Sequence, residues 1–189
     1  MQVRTGFILI GSFLLSPFTW AYAVGDGELS LWTIKYSAPT LFEDGYTVEG
    51  KAKAFTGRFL FKDGILKSLE GQVPVKSLSS GLEARDESIR DLLFKAEDGQ
   101  LPDVRFEVKD VPCEQEGEFW RCAATGKLSV QGEWQTVSTD IYISTYQGRP
   151  WLHAEGTIQL SNYAFYAKGS KALKVADRVD LSIDLLGQN

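Results

Sequence analysis

The sequence contains one histidine, His153 in "WLHAEG", and two cysteines, Cys113 and Cys122. A Ser/His or Cys/His nucleophile system would have to rest on that single imidazole. His153 lies in an alternating segment, on the face opposite Leu152 and Ala154, where a lone histidine reads as a surface residue. No glycine-rich phosphate loop, no Cys-x-x-Cys and no His-x-x-x-His occurs. Carboxylates are numerous enough for a glycosidase-type pair. Yet Glu107, Asp180 and Asp184 alternate with lysines and arginines, as on solvated strand faces. The cysteines bracket "CEQEGEFWRC", with Gly117-Glu118 at its midpoint, which predicts a hairpin closed by a Cys113–Cys122 disulfide. Two free thiols are the alternative, and a metal site would need more ligands. The residues therefore predict a binding protein with no catalytic site, no metal and no covalent cofactor.

Export shapes that reading. Arg4 precedes the apolar run "GFILIGSFLLSPFTWAYA", which contains Pro17 and ends in Ala21-Tyr22-Ala23. This pattern predicts a cleaved signal peptide over residues 1–23, with an uncleaved anchor as the alternative. Residues 24–189 then form a single domain. Loss of Arg4 moves the net charge from −5 to −6. A mildly acidic surface argues against nucleic acid as a partner and disfavours anionic lipid headgroups.

The rest of the chain alternates in twos. Val104, Phe106 and Val108 oppose Arg105, Glu107 and Lys109, and Val179, Leu181, Ile183 and Leu185 oppose Arg178, Asp180, Ser182 and Asp184. Such alternation means antiparallel strands with one buried face. About eight strands are predicted, punctuated by Asp63-Gly64, Gln131-Gly132 and Gln147-Gly148. Long strands with interior glycines (Gly50, Gly57, Gly71, Gly156) favour a closed all-β barrel over a sandwich.

One segment breaks the alternation. Residues 81–96 predict an amphipathic helix, with Ser80 and Glu83 as a capping box and Asp86-Arg90 as a charge pair one turn apart. Leu82, Ile89, Leu92, Leu93 and Ala96 recur at helical spacing, and Asp98-Gly99 and Pro102 end the run. Its apolar stripe needs a surface, and a lid or flank on the barrel is the expected place. Either Arg85 and Asp86 are a solvated surface pair or Arg85, on the stripe of Ile89 and Leu92, is partly buried against a carboxylate or backbone carbonyls.

Five fragments in order resemble the YceI-like family: "FTGRFLFKDG", "VPVKSLSSGLEARDESIRD", "QLPDVRFEV", "GKLSVQGEWQTV" and "GTIQLSNYAFY". The resemblance covers most of residues 30–186. It implies an extended, lipocalin-like antiparallel barrel in the periplasm, closed over by the helix and holding a long polyisoprenoid. Many relatives carry histidines in their first strands. The matching region here, "WTIKYSAPTLFEDGYTVEG", has none, so the headgroup contact is expected to differ.

The expected lining of such a barrel is Val48, Phe59, Phe61, Leu69, Val73, Val75, Phe106, Leu128, Val130, Ile141, Ile143, Ile158, Val179, Leu181 and Ile183, with Leu82, Ile89, Leu92 and Leu93 as the lid. Small inward residues (Gly50, Ala52, Gly71, Ala154) are expected to leave room inside. At ~0.8 kcal/mol per buried methylene, ~15 methylenes offer about 12 kcal/mol gross before the costs of association. The expected guest is a quinone-like isoprenoid or similar amphiphilic lipid. The alternative is a filled barrel acting as a periplasmic interaction or stress-related protein. Trp134, Tyr142 and Tyr146 share one strand face, either a docking or dimer surface or simple cross-strand packing. A monomer or homodimer with transient membrane or membrane-protein contact fits either reading.

Overall fold

The computed structural model describes residues 26–39, 47–166 and 176–188. The predicted signal segment lies outside the described residues. The first half of the chain contributes β1 (Asp26–Pro39), β2 (Thr47–Ala52), β3 (Thr56–Lys62), β4 (Ile65–Val73) and the short β5 (Leu78–Ser79). Helix α1 (Glu83–Ile89) follows and runs on as a π-turn over Arg90–Phe94. The second half supplies β6 (Val104–Pro112), β7 (Glu114–Glu116), β8 (Phe119–Val130), β9 (Glu133–Tyr146), β10 (Arg149–Gln159) and β11 (Arg178–Gly187).

Eight strands close a ring in the order β1-β3-β4-β6-β8-β9-β10-β11, and β11 returns to β1. Every pairing is antiparallel, as the alternation predicts. Strand β1 forks. Residues 26–29 pair with β3, while residues 35–39 pair with β2, which carries β5 at its outer edge. Closure leaves the long strands without free edges. The three predicted turns are tight hairpins in which both central residues have positive φ: Asp63-Gly64, Gln131-Gly132 and Gln147-Gly148. That geometry matches the twist of the strands it joins.

Two register shifts break the period of two. One falls between Leu31 and Thr33, so that Leu29 and Ile34 are both buried. The other falls between Leu60 and Phe61, opposite a stretch of β4 where Leu66 and Leu69 both point inward. Each extra residue bends the wall and re-aims the side chains beyond it.

One end of the barrel is packed solid. Leu29, Phe59, Phe61, Leu66, Val108, Val111, Cys122 and Ile143 form a continuous core there, and Trp120 leans on Phe61 at 5.5 Å between ring centres. Phe59, Phe61 and Ile143, expected on the cavity lining, are fill at this end. Val75 is buried too, but it sits on a one-turn helix (Val75–Ser77) past the end of β4, not on the strand.

The Cys113–Cys122 disulfide joins the approach to β7 with β8 and seals the solid end. The cysteines are nine residues apart. Closing so short a loop in the unfolded chain contributes about 2.5 kcal/mol. Reduction is therefore expected to lower the melting temperature by about 5–10 °C. Unchanged melting of a sample whose two thiols titrate would contradict this.

The helix departs from its expected form. It is shorter than 81–96, and its N-cap is Leu82, with no side-chain cap. The capping box is absent because Ser80 is used elsewhere: its amide and hydroxyl both donate to the buried Asp86 carboxylate. Arg90 bonds Glu83 at 2.6 Å, while its charge also acts on Asp86 as expected. Leu82 and Leu92 lie outside the apolar stripe, exposed at 56% and 37%.

Candidate functional site

The other end of the barrel is hollow. An internal, partly open cavity of about 450 Å³ lies beneath α1. That volume falls within the ~300–1,000 Å³ of ligand pockets. It is about three times the ~150 Å³ apolar cavity that admits one benzene, which gives room for on the order of 15 to 20 carbons.

The sequence-derived lining divides between the two ends. Val48, Leu69, Val73, Phe106, Leu128, Val130, Ile141, Ile158, Val179, Leu181 and Ile183 all border the cavity, as do Ile89 and Leu93 of the helix. Phe59, Phe61, Val75, Ile143, Leu82 and Leu92 do not. Ile34, Tyr36, Ala38, Phe55, Leu78, Val104 and Phe165 border it without having been expected. In β1 the signal was present as Ile34, Tyr36 and Ala38 in alternation, hidden behind the register shift upstream.

The inward glycines do not supply the space. A Cβ on Gly50 would lie 2.2 Å from the Tyr36 ring, its cross-strand partner. Gly57 and Gly71 face each other across β3 and β4 and form a slot for Phe55, whose ring would lie 2.5 Å from a Cβ on either. The glycines thus seat two aromatic rings in the wall. Leu69, Ile141, Ala154 and Leu181 border the void that remains.

The helix covers this space with few residues. Leu93 is buried among Leu128, Val130, Tyr163 and Phe165, with Ile89 and Phe94 against the same group. Gln131 Nε2 donates to the Leu93 carbonyl at 3.0 Å and ties the helix end to the β8–β9 turn. Tyr163 Oη donates to the Leu128 carbonyl at 3.2 Å, and burial beside Glu133 pushes its pKa up to about 12. The hydroxyl therefore stays a donor at any physiological pH.

A small polar cluster marks the helix start. Burial alone would push the Asp86 carboxyl up, but hydrogen bonds from Ser80 and Ser79 and the Arg90 charge hold it below its ordinary value. Its depressed folded-state pKa contributes stability that is whole above the unfolded value of about 3.9 and is lost as pH falls toward the folded one. Asp86→Asn is expected to flatten that acid limb. Melting temperatures from pH 5 downward should fall more steeply for wild type than for the variant, and parallel curves would contradict the assignment.

The histidine lies elsewhere. On the outer wall, His153 Nδ1 is 2.9 Å from Asp184 Oδ1 and Nε2 is 3.3 Å from Glu155, with the ring stacked on Trp151. Tyr142 packs between Phe119 and His153, so the expected aromatic ladder is partly covered, while Trp134 remains 41% exposed. A broad depression on the same wall is edged by Lys35, Glu49, Glu155, Arg178 and Asp180 and is open to water. Charge and exposure make it unsuited to an apolar guest.

Comparisons with known proteins agree with this architecture. The YceI-like domain family matches residues 32–186. A search of curated proteins returns no match. Among solved structures, a polyisoprenoid-binding domain from Saccharophagus degradans, implicated in plant cell wall breakdown, superposes with a TM-score of 0.64 at 13% identity, over 84% of this chain and 96% of its own. BcnA from Burkholderia cenocepacia gives 0.66 at 18% identity, covering 82% and 96%. The YCEI protein of Campylobacter jejuni gives 0.58 at 21% identity, covering 75% and 85%. At these identities the structures establish a shared fold. With the family match spanning nearly all of the described barrel, the chain belongs to the YceI-like family.

Proposed function

We propose that this protein binds the hydrocarbon chain of an isoprenoid or similar amphiphilic lipid inside the hollow end of its barrel. One observation carries the reading: a cavity of about 450 Å³ walled almost wholly by aliphatic and aromatic side chains. Water gains little in such a space, while each methylene moved into it contributes ~0.8 kcal/mol. About 15 to 20 carbons correspond to three or four isoprene units. A longer chain would have to leave part of itself outside. The polyisoprenoid-binding domain of Saccharophagus degradans, similar in fold, supports the choice of guest.

The proposed setting is the periplasm, with the protein carrying lipid through water. It is supported by the signal-like residues 1–23 and by the net negative charge. Organic extraction of protein purified from a Gram-negative host, followed by mass spectrometry, tests the reading. A recovered prenyl or acyl lipid at near-stoichiometric amount is expected. An empty extract, with no uptake of farnesol by the extracted protein, would overturn it.

A further inference from the structure

The charged residues bordering the cavity are both arginines. Arg85 and Arg105 line it, and no aspartate, glutamate or lysine does so among the described residues. In a chain of 25 acidic and 20 basic residues this is a local reversal of sign. Arg105 is exposed on β6, whereas Arg85 is partly buried at the start of the helix.

The hydrogen bonds of Arg85 run through a single serine. Its Nε donates to Ser80 Oγ and its Nη2 to the Ser80 carbonyl, both at 2.8 Å. These bonds fix one edge of the guanidinium, and no carboxylate among the described residues forms an ion pair with it. Asp86 accepts from the same Ser80 hydroxyl and so reaches Arg85 only through it, while the nearby Arg90 bonds the exposed Glu83. Tyr36, seated over Gly50, also borders the cavity and lies close enough to feel the charges of both Asp86 and Arg85. Ser88 completes the polar part of the lining, with its hydroxyl given to the Ala84 carbonyl.

A guanidinium with unused N–H groups beside an apolar lumen matches a phosphate or carboxylate placed at the end of a hydrocarbon chain. We infer that Arg85, assisted by the Tyr36 hydroxyl, is a headgroup subsite that selects anionic amphiphiles over uncharged ones of the same chain. This inference rests on the lipid-cavity reading and adds the chemical class of the head. The acidic exterior does not oppose it, because recognition takes place at the cavity wall and not on a membrane surface.

Calorimetric titration of lipid-free protein with farnesyl phosphate and with farnesol tests it. Palmitate and hexadecanol form a second pair that tells a phosphate head from a carboxylate. Wild type is expected to bind at least one anion tenfold or more tighter than its alcohol. Arg85→Met should bring the anion-to-alcohol affinity ratio down to about one, and Arg85→Lys should keep part of the preference. Thermal melts establish that both variants fold. Equal affinities within both pairs in wild type, or a preference that survives Arg85→Met, would overturn the subsite while leaving the cavity reading in place. Failure of all four probes to bind would overturn both.

Discussion

Leu93→Asp is expected to lower the melting temperature by about 10 °C and to strip the protein of lipid, whereas Leu92→Asp changes neither. Leu93 is 8% exposed and packs on Leu128, Val130, Tyr163 and Phe165. Truncating such a leucine to alanine costs ~2–5 kcal/mol, and an unpaired carboxylate in its place adds desolvation. In a chain of this size each kcal/mol is worth ~2–4 °C. The effect on lipid is larger than stability alone explains, because Leu93 borders the cavity that the helix covers. Leu92 stands beside it in sequence but is 37% exposed, and surface substitutions stay within ~0.5 kcal/mol. Thermal melts and lipid extraction of the two variants side by side decide the matter. Equal behaviour of the pair would show that the helix does not cover the cavity through Leu93.

Filling the cavity is the converse experiment. Ala154 on β10 pairs with Ile141 on β9 and Ile183 on β11, and all three border the void. Ala154→Phe is expected to place its ring in empty space, to reduce prenyl-lipid affinity more than tenfold, and to leave the melting temperature unchanged or slightly raised, since filling a void recovers contacts. Ala124 on β8 provides the contrast. It is 4% exposed and, unlike Ala154, does not border the cavity. Ala124→Phe meets filled space, and overpacking costs ~1–3 kcal/mol or more. Farnesol titrations alongside melts separate the two sites. If Ala154→Phe binds lipid as wild type does, the guest is not in the cavity.

The barrel was legible in the sequence because its cause is local. Alternation marks each strand, and three Asp-Gly or Gln-Gly pairs carry the positive φ that tight hairpins need. The division of the barrel into a solid and a hollow end was not legible. Phe59, Leu69 and Ile141 look alike along the chain, and only the shifts near Trp32 and Phe61 decide which neighbours they meet. Glycine misled for a related reason. Gly50 and Gly71 suggested empty space, but each takes an aromatic ring from elsewhere, Tyr36 or Phe55. The helix start misled because Ser80 and Glu83 have the spacing of a capping box. The buried Asp86 competes for the serine and wins, since a carboxylate accepting two hydrogen bonds outweighs a neutral cap.

The location of a bound chain is open to direct observation. Protein with ¹³C-labelled isoleucine, leucine and valine methyls, titrated with farnesol and followed by NMR, reports each wall of the barrel separately. Methyls of Val48, Leu69, Ile141 and Leu181 are expected to shift and to show contacts to the prenyl protons, while Leu66 and Val111 at the solid end stay unmoved. Shifts confined to exposed methyls such as those of Leu60 and Leu82, with the interior silent, would contradict an internal lipid site.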